Sequence, residues 1–309
     1  MTVPAPAPRR IAMIHAPCHL GLRPPREDHP PGTWRAPRAL ARAGLDAALA
    51  PVRTIAMPRP DYAFDVRGDT LIRNAAGIRA FCEALAGHVE AQLKDGCFPV
   101  AIGGDCSILL GCLAGARRIA PLGLVHIDGH SDFRHPGNYD AASVVSGVAG
   151  MDLALATGRG EAVLTQWDEL DAPLVADARV VQLGERECRD PDYAFADIHR
   201  TAIRQLDIFW ILEHGIDAAI EQTLARMDGP FWLHVDVDVL DQRLMPAVDS
   251  PGSPGLDFDQ LGQAVASLAA AAQCVGLNVT VFDPDIDPDG RYAALLADCL
   301  GQALRRAHA

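Results

Sequence analysis

Basic residues are in short supply in this sequence: 27 lysines and arginines stand against 40 aspartates and glutamates, which gives a net charge of −13. It contains no lysine- or arginine-rich block and no nucleic-acid-binding motif. An acidic chain of this kind offers little positive surface to attract phosphate backbones or anionic lipids. We therefore expect neither a nucleic acid nor a membrane as a partner.

Long apolar runs are also missing. The N-terminal run M-T-V-P-A-P-A-P-R-R contains no hydrophobic h-region, and no apolar stretch is long enough to cross a bilayer. The eight cysteines are scattered without a C-x-x-C pair, which argues against a zinc ribbon or a disulfide framework. We therefore expect a protein of the reducing cytoplasm.

Short apolar runs alternate with helical patterns from one end of the sequence to the other. This alternation is typical of βαβ units, in which helices cover both faces of a parallel sheet, and it predicts an α/β fold. No composition shift, repeat or low-complexity linker divides the chain, so we expect one domain over residues 1–309, with the Pro/Ala-rich residues 1–9 as a loose tail.

The predicted elements follow from periodicity and from Gly/Pro punctuation. The predicted strands are 10–14, 51–57, 98–102, 122–127, 179–183, 206–210, 231–238 and 275–282. The predicted helices are 36–50, 74–93, a segment that ends near residue 118, 146–157, 213–227, 257–272 and 291–307.

Two acidic clusters follow predicted strands at widely separated places. The run L-V-H-I-D-G-H-S-D places Asp128, His130 and Asp132 after one strand, and F-W-L-H-V-D-V-D places Asp236 and Asp238 at the end of another. Residues two apart in extended chain share a face, and the carboxyl ends of parallel strands meet at one edge of the sheet. Carboxylates gathered there repel one another unless a cation offsets their charge; the alternative is that they cap strand ends in solvent. The pattern predicts a metal site, with Mn²⁺ favoured over Zn²⁺, Fe²⁺ and Co²⁺.

Four motifs, in order and at matching spacing, resemble the ureohydrolase superfamily of arginases, agmatinases, guanidinobutyrases and formimidoylglutamases. G-G-D-C-S at 103–107 is similar to the family's G-G-D-H-S, and D-G-H-S-D at 128–132 is similar to its D-A-H-x-D. H-V-D-V-D-V-L-D-Q at 234–242 is similar to S-x-D-x-D-x-x-D-P, and P-A-V-D-S-P at 246–251 is similar to P-A-T-G-T-P. The resemblance extends from the first predicted strand to the last helix.

The resemblance implies a three-layer α/β/α sandwich around a mainly parallel sheet, a small-molecule substrate and assembly into homo-oligomers, as trimers or hexamers. It also implies two Mn²⁺ ions per chain, bridged by a hydroxide. The residues expected by position to bind these metals are Cys106, Asp128, His130, Asp132, Asp236 and Asp238. Asp132 matches the residue that both binds metal and accepts a hydrogen bond from the hydroxide, so it is also expected to be catalytic.

The sequence departs from the family pattern at three positions. Cys106 stands where the family has its first ligand histidine, and Ala149 stands where a site-loop histidine shuttles protons. Val281 stands where the glutamate of E-x-N-P grips the guanidinium. A branch that hydrolyses N-hydroxy-arginine also has Cys at the first position together with D-G-H-x-D-F, but this chain lacks the late glutamate of that branch. Unmodified arginine is therefore not the expected substrate.

Cys106 has three interpretations. As a metal ligand it would be a thiolate, which adds negative charge, weakens the Lewis acidity of the ions and shifts selectivity from Mn²⁺ towards Zn²⁺ or Fe²⁺. As a structural residue it would be a small buried hydrophobe. A covalent nucleophile is the third interpretation and would need a base nearby. The match to a family ligand favours the first.

Further candidates surround the expected metals. His126 and His234 each lie two residues before a ligand aspartate; His234 could act in catalysis in place of the missing histidines, although such residues are often core histidines. Arg134 matches a substrate-contacting position and could hold a carboxylate in a bidentate pair, unless it is a solvated loop arginine. Ser250 lies in the P-A-T-G-T-P-like motif, and Asp283 could replace the cation-binding group lost at position 281.

These observations support three hypotheses. The first is a binuclear metal hydrolase of C–N bonds in linear amidines, which acts on a small guanidino, hydroxyguanidino or amidino substrate. The second is a protein of the same fold that binds a small ligand or a partner without catalysis. The third is a metal hydrolase of another C–N bond, such as that of an amide.

Overall fold

A single eight-stranded sheet forms the centre of the computed structural model, which describes residues 9–64, 70–139, 146–170, 173–190 and 195–308. The strand order is β2-β1-β3-β8-β7-β4-β5-β6, and every neighbouring pair is parallel. The strands are β1 (Arg10–Ala16), β2 (Arg53–Ala56), β3 (Cys97–Gly103), β4 (Gly123–Ile127), β5 (Val180–Leu183), β6 (Arg204–Leu206), β7 (Phe231–Asp236) and β8 (Cys274–Thr280).

Helices cover both faces of the sheet, which confirms the predicted α/β/α sandwich. The helices are α1 (Ala36–Arg42), α2 (Leu45–Leu49), α3 (Ala75–Lys94), α4 (Ile108–Arg117), α5 (Asp152–Ala156), α6 (Ala162–Thr165), α7 (Ile208–His214), α8 (Ile216–Arg226), α9 (Phe258–Ala270) and α10 (Arg291–His308). One apolar core lies under α1, α2 and α7–α10, and a second lies under α3–α6. Among the described residues, no helix combines the length and the apolar character that a membrane span requires.

The apolar periodicity predicted these layers well where it was strong. Every residue of β3, β4 and β7 is buried, as expected for the centre of a parallel sheet that is covered on both faces. On α3, the residues Ile78, Leu85 and Val89 recur at helical spacing and all face the core. The strands that carry the candidate site are therefore the most deeply packed elements of the sheet.

Two predicted helices are interrupted by glycine. The segment predicted as one helix over 36–50 is two helices, because Gly44 adopts φ +102° between α1 and α2. The segment predicted over 213–227 divides at Gly215, which has φ +86° and separates α7 from α8. Glycine takes such left-handed conformations without the steric penalty that other residues meet.

The predicted strand over 206–210 is wrong. The strand β6 ends at Leu206, and the side chain of Asp207 accepts a hydrogen bond of 2.8 Å from the backbone N–H of Trp210. This is an N-cap, so the apolar residues that follow belong to the first turn of α7. A short apolar run such as 206–210 has the same appearance in a strand and in a helix, so its sequence alone does not distinguish the two.

Two other predictions need adjustment. Arg9, placed in the loose tail by its sequence, donates hydrogen bonds to the carbonyl oxygens of Ala269, Ala271 and Cys274 and is held against the sheet; residues 1–8 lie outside the described residues. The helix predicted over 146–157 consists of a 3₁₀ turn at Val148–Gly150 and the short helix α5.

The sheet order brings the predicted chemical residues to one edge. The strands β3, β8, β7 and β4 are consecutive neighbours, and all run in the same direction. Their carboxyl ends lead to Cys106, Val281, Asp236 and Asp128, respectively. In a parallel α/β sheet this edge is where ligands bind.

Candidate metal centre

The register of β4 and β7 places the two acidic clusters side by side. His126 pairs with His234 across the two strands, so Asp128 and Asp236, two residues further on, lie on the same face. Both carboxylates are buried, at 1% and 2% exposure. The sequence prediction that distant acidic residues converge is borne out by this geometry.

All of the predicted ligand residues come together in overlapping groups whose donor atoms lie within 4.8 Å of one another. One group consists of Cys106, Asp128, His234 and Asp236, and another of Asp128, His130 and Asp238. Asp132 belongs to two further groups, which are completed by residues of β4, α5 and the loop after β3. Asp128 is shared between three of these groups.

Short contacts join the members of the cluster. The thiol of Cys106 donates to Asp236 Oδ2 at 2.7 Å, and His130 Nδ1 lies 2.9 Å from Asp238 Oδ2. The backbone N–H groups of His130 and Asp238 donate to Asp128 and Asp236 at 2.7 and 2.8 Å. In both Asp128 and Asp236, Oδ1 accepts a hydrogen bond from the backbone two residues further on, and Oδ2 is left to face the centre.

Burial and mutual repulsion set the protonation of the cluster. They raise the pKa of Asp132 and Asp236 well above the usual value, with burial as the largest cause and neighbouring carboxylates next. Burial and the charge of Asp236 likewise raise the pKa of the Cys106 thiol. Burial alone would raise the pKa of Asp238, but His130, Arg186 and the backbone N–H of Gly129 together outweigh it and hold that pKa below the usual value. A divalent cation would favour the charged forms of these groups.

The residues fit a metal centre by their chemistry as well as by their spacing. Asp128 Oδ2 is fully buried and has no hydrogen-bond partner, which is costly for a carboxylate oxygen unless a cation is bound. The available donors are carboxylate oxygens, imidazole nitrogen and one sulfur, a set suited to Mn²⁺, Fe²⁺ or Zn²⁺. The site therefore fits a divalent metal centre.

The cluster opens into a cavity of about 210 Å³. Cys106, His130, Asp132, Asp236 and Asp238 form one part of its lining, so the expected metal ions and a small substrate would meet there. A cavity beside these donors would let a substrate reach ions held there, as a catalytic metal site requires.

Of the predicted substrate-binding residues, Arg134 and Ser250 line this cavity and Asp283 does not. The carboxylate of Asp283 accepts hydrogen bonds from the backbone N–H groups of Gly32 and Asp285, at 3.2 and 2.8 Å. Asp283 therefore holds a turn, and the expectation that it replaces the missing cation-binding group is not supported by its position.

The other two departures from the family pattern, Ala149 and Val281, also line the cavity. Val281 adopts φ +65°, a conformation that is strained for a β-branched residue, and its N–H donates to the carbonyl of Gly104 at 2.7 Å. Strain of this kind is often found at functional sites. The cavity wall at this point is apolar where the family carries a carboxylate.

His234 lies beneath the carboxylates rather than in the cavity. Its side chain is fully buried, and Nε2 is 3.9 Å from Asp128 Oδ2. His234 does not line the cavity, so the expectation that it contacts the substrate during catalysis is not supported by its position. It contacts the buried side of the carboxylate cluster instead. His126 stacks on it, with ring centroids 4.6 Å apart.

Sequence reasoning missed three acidic residues near the site. Glu187 and Asp249 line the cavity, and burial raises the pKa of both carboxyls. Asp152, the first residue of α5, is fully buried against His126 and His234. A single aspartate in the apolar run M-D-L-A-L-A was the signal that could have identified it, because an isolated buried carboxylate needs a partner.

A parallel α/β/α sandwich with buried carboxylate, imidazole and thiol donors at its carboxyl edge defines a metal-dependent hydrolase of the ureohydrolase class. The chain belongs to the arginase family: the model of that family, described as "Arginase family", matches residues 9–304. It is 29% identical over 240 residues to the arginase of Bacillus caldovelox, an alignment that covers 76% of this chain and 78% of that protein.

Solved structures show the same fold. The crystal structure of arginase from Bacillus cereus superimposes with a TM-score of 0.79 at 26% identity and covers 96% of this chain and 98% of that chain. Proclavaminate amidino hydrolase from Streptomyces clavuligerus superimposes with a TM-score of 0.70 at 20% identity, over 99% of this chain and 94% of that one. The second likeness extends the shared fold to a relative named for a different substrate.

Proposed function

We propose that this protein is a binuclear metal hydrolase that cleaves a C–N bond in a small linear amidine, such as a guanidino or hydroxyguanidino compound. The observation that carries the proposal is the convergence of Cys106, Asp128 and Asp236 from three separate strand ends, with donor atoms within 4.8 Å, beside an open cavity. The family relationship to arginases supports the same reaction type.

The proposed ligands of the two ions are the six residues that the motifs predicted. When bound, divalent ions polarise the substrate and lower the pKa of a water molecule so that it becomes a nucleophile. We propose Mn²⁺, with Zn²⁺ or Fe²⁺ as competitors because Cys106 adds a soft sulfur donor. These six proposed ligands are Cys106, Asp128, His130, Asp132, Asp236 and Asp238.

Asp132 is the proposed catalytic carboxylate. It belongs to the ligand cluster and also lines the cavity, where it would accept a hydrogen bond from the nucleophile and orient it towards the amidine carbon. Its neighbour Arg134 lines the same cavity and would hold a substrate carboxylate. The guanidinium of Arg134 lies 4.5 Å from the ring centroid of Tyr139, which limits the directions in which it can point.

The shape and charge of the cavity restrict the substrate. A volume of about 210 Å³ admits only a small molecule. Val281 offers no charge to a guanidinium, whereas Glu187 and Asp249 present carboxyls that an amino group of the substrate would contact. We infer a small substrate with a carboxylate at the Arg134 end and an amidine-type group that does not require an ion pair at position 281.

The direct test is to incubate the Mn²⁺-loaded protein with a panel of guanidino, hydroxyguanidino and amidino acids and to measure urea, amine or ammonia release. Asp128→Asn is the negative control, because it removes a proposed shared ligand while it preserves side-chain size. Turnover by the wild type and loss of at least ~10³-fold in Asp128→Asn would support the proposal, since removal of a catalytic electrostatic group costs about that much.

A second candidate is a protein that binds a ligand without hydrolysis. Ala149 and Val281 favour it, because both line the cavity and both lack the polar groups that the family motifs carry there. Metal-loaded protein that binds members of the panel but releases no product would support this candidate. Extension of the panel to amides tests the third possibility, hydrolysis of a different C–N bond.

We further propose that residues 1–309 form one domain, that the protein works in the cytoplasm and that it assembles into homo-oligomers, as trimers or hexamers. All eight cysteines are free, which is consistent with a reducing compartment. The family resemblance supports the assembly. Light scattering of the metal-loaded protein would give the subunit number, and a monomer would overturn this part of the proposal.

A further inference from the structure

A row of buried polar side chains crosses the sheet directly beneath the candidate metal centre. Gln182, His126, His234 and Asn278 are register partners on β5, β4, β7 and β8, and each is at most 1% exposed. Asp152, from the helix α5, packs onto the two histidines. Polar groups so deep in a parallel sheet are costly unless their hydrogen bonds are satisfied.

The neighbours of His234 fix its tautomer. Trp232 Nε1 can only donate, and it lies 2.7 Å from Asn278 Oδ1. The amide nitrogen of Asn278 therefore faces His234 Nδ1, at 2.7 Å, and donates to it. A neutral imidazole that accepts at Nδ1 carries its proton on Nε2.

This tautomer changes the role of His234 in the centre. Nε2 lies 3.7 Å from Asp152 Oδ2 and 3.9 Å from Asp128 Oδ2. Because Nε2 presents a hydrogen rather than a lone pair, its positively polarised N–H group faces these carboxylate oxygens, at distances longer than a hydrogen bond. A metal ligand would need the opposite tautomer, so His234 does not belong to the ligand set despite its spacing.

His126 holds the other oxygen of Asp152. Its Nε2 lies 3.3 Å from Asp152 Oδ1. With Oδ1 engaged in this way, Asp152 Oδ2 has no hydrogen-bond partner although it is fully buried. An unpaired carboxylate oxygen in such a place marks a position where a cation would bind.

A ligand oxygen of Asp152 also lies within 4.8 Å of the donor atoms of Cys106 and Asp132. We propose that Asp152 is an additional metal ligand of this centre, positioned by the hydrogen bond from His126 and by the nearby N–H group of His234. The inference rests on the proposed function, since it requires that the centre hold metal. In this arrangement Asp152 supplies an oxygen donor next to Cys106, the position at which the chain has sulfur in place of an imidazole.

The first experiment measures metal affinity rather than activity. Co²⁺ is titrated into metal-free protein against a competing chelator, for the wild type and for Asp152→Asn. We expect Asp152→Asn to lower the affinity for one of the two ions by more than 10–100-fold, the range typical of residues outside the ligand shell. The affinity for the other ion should stay within a few fold of the wild-type value. Asp298→Asn, an exposed aspartate on α10, is the matched control and should bind both ions as the wild type does.

Variants of the histidines separate positioning from ligation. His234→Gln and His126→Gln should each weaken metal binding by roughly 10–100-fold, the range for residues that orient a ligand. In both variants the Co²⁺ spectrum should keep the wild-type coordination number. A changed coordination number in His234→Gln would show that this histidine is itself a ligand and would overturn the positioning role.

The second experiment uses only the wild type, so it decides the matter even if Asp152→Asn does not fold. A crystal structure with anomalous scattering at the metal edge should place an oxygen of Asp152 at about 2.0–2.2 Å from one ion. Two bound ions with Asp152 beyond bonding distance would overturn this inference alone. Protein that binds no metal at all would overturn the proposed function and this inference together.

Discussion

Cys106 Sγ lies 2.7 Å from Asp236 Oδ2, so a thiol from the loop after β3 donates directly to a carboxylate at the end of β7. Burial and the charge of Asp236 raise the pKa of this thiol well above its ordinary value. In metal-free protein Cys106 is therefore a protonated, unreactive thiol. Metal ligation would expel that proton, which makes metal affinity at this position depend on pH.

The first prediction concerns this sulfur. Cobalt-loaded wild type should show a thiolate-to-cobalt charge-transfer band, and Cys106→Ser should lose it, because oxygen replaces the only sulfur in the proposed ligand set. Absorption spectroscopy during Co²⁺ titration makes the measurement. Cys112→Ser is the control, since Cys112 is also fully buried and lies one turn into α4. A band that survives in Cys106→Ser would assign the sulfur ligand elsewhere.

The second prediction concerns Val281. Val281→Glu places a carboxylate on the cavity wall, where a charge-assisted contact with a guanidinium contributes about 1.5–3 kcal/mol. We expect kcat/KM for unmodified guanidino substrates to rise roughly 10–100-fold over the wild type, at 1.4 kcal/mol per factor of ten.

Val281→Gln is the matched control for that variant, because it has the same length without the charge. Val281→Gln should leave kcat/KM for guanidino substrates close to the wild-type value. If Val281→Gln and Val281→Glu behave alike in steady-state assays, then charge at this position does not determine specificity.

The third prediction tests the corrected boundary between β6 and α7. Asp207→Ala removes the N-cap of α7 and should lower the free energy of unfolding by ~1 kcal/mol. Asp207→Asn keeps a capping side chain and should lower the free energy of unfolding by only a few tenths of a kcal/mol. Urea denaturation of the two variants makes the comparison, and equal stabilities would argue that the cap contributes nothing.

The fourth prediction is a pH dependence that originates away from the metal ligands. Burial raises the pKa of Glu185 from 4.5 to about 7. The folded protein therefore retains a proton that the unfolded chain has released between these values, so stability falls as pH rises from about 4.5 through about 7. The total loss from this carboxyl is at most ~3 kcal/mol at 1.36 kcal/mol per pKa unit.

Glu185→Gln should remove this contribution. The free energy of unfolding of the variant, relative to that of the wild type, should increase between pH 4.5 and pH 8. Denaturation at several pH values measures the difference, and Glu221→Gln, an exposed glutamate on α8, should show no such trend. A flat difference for Glu185→Gln would mean that this carboxyl titrates normally.

The sequence predicted which side chains would come together because its signals were chemical and local. Asp128, His130 and Asp132 follow one strand within five residues, which was enough to predict that they lie near one another, although the chain after β4 is not extended and Asp132 has φ +44°. The convergence with Asp236 followed from the single rule that parallel strands end at one edge of the sheet. No tertiary information was needed for either step.

The sequence predicted other features poorly because they depend on tertiary contacts. Asp152, the first residue of α5, reaches the centre through tertiary contacts with His126 of β4 and His234 of β7, which local sequence does not specify. The tautomer of His234 depends on Trp232 and Asn278, which come from two strands. Asp283 was assigned to the site by its sequence neighbourhood, whereas its hydrogen bonds with Gly32 and Asp285 direct it into a turn.

The measurement that tests the account most directly is the metal content of the purified protein. Elemental analysis of protein prepared without chelators, or reconstituted with Mn²⁺ and then desalted, should give about two transition-metal ions per chain, as the two-metal mechanism requires. The Asp128→Asn variant should bind fewer metal ions per chain than the wild type. A wild-type protein that carries no metal and takes up none from added Mn²⁺, Zn²⁺ or Fe²⁺ would contradict the central claim that these buried carboxylates exist to bind cations.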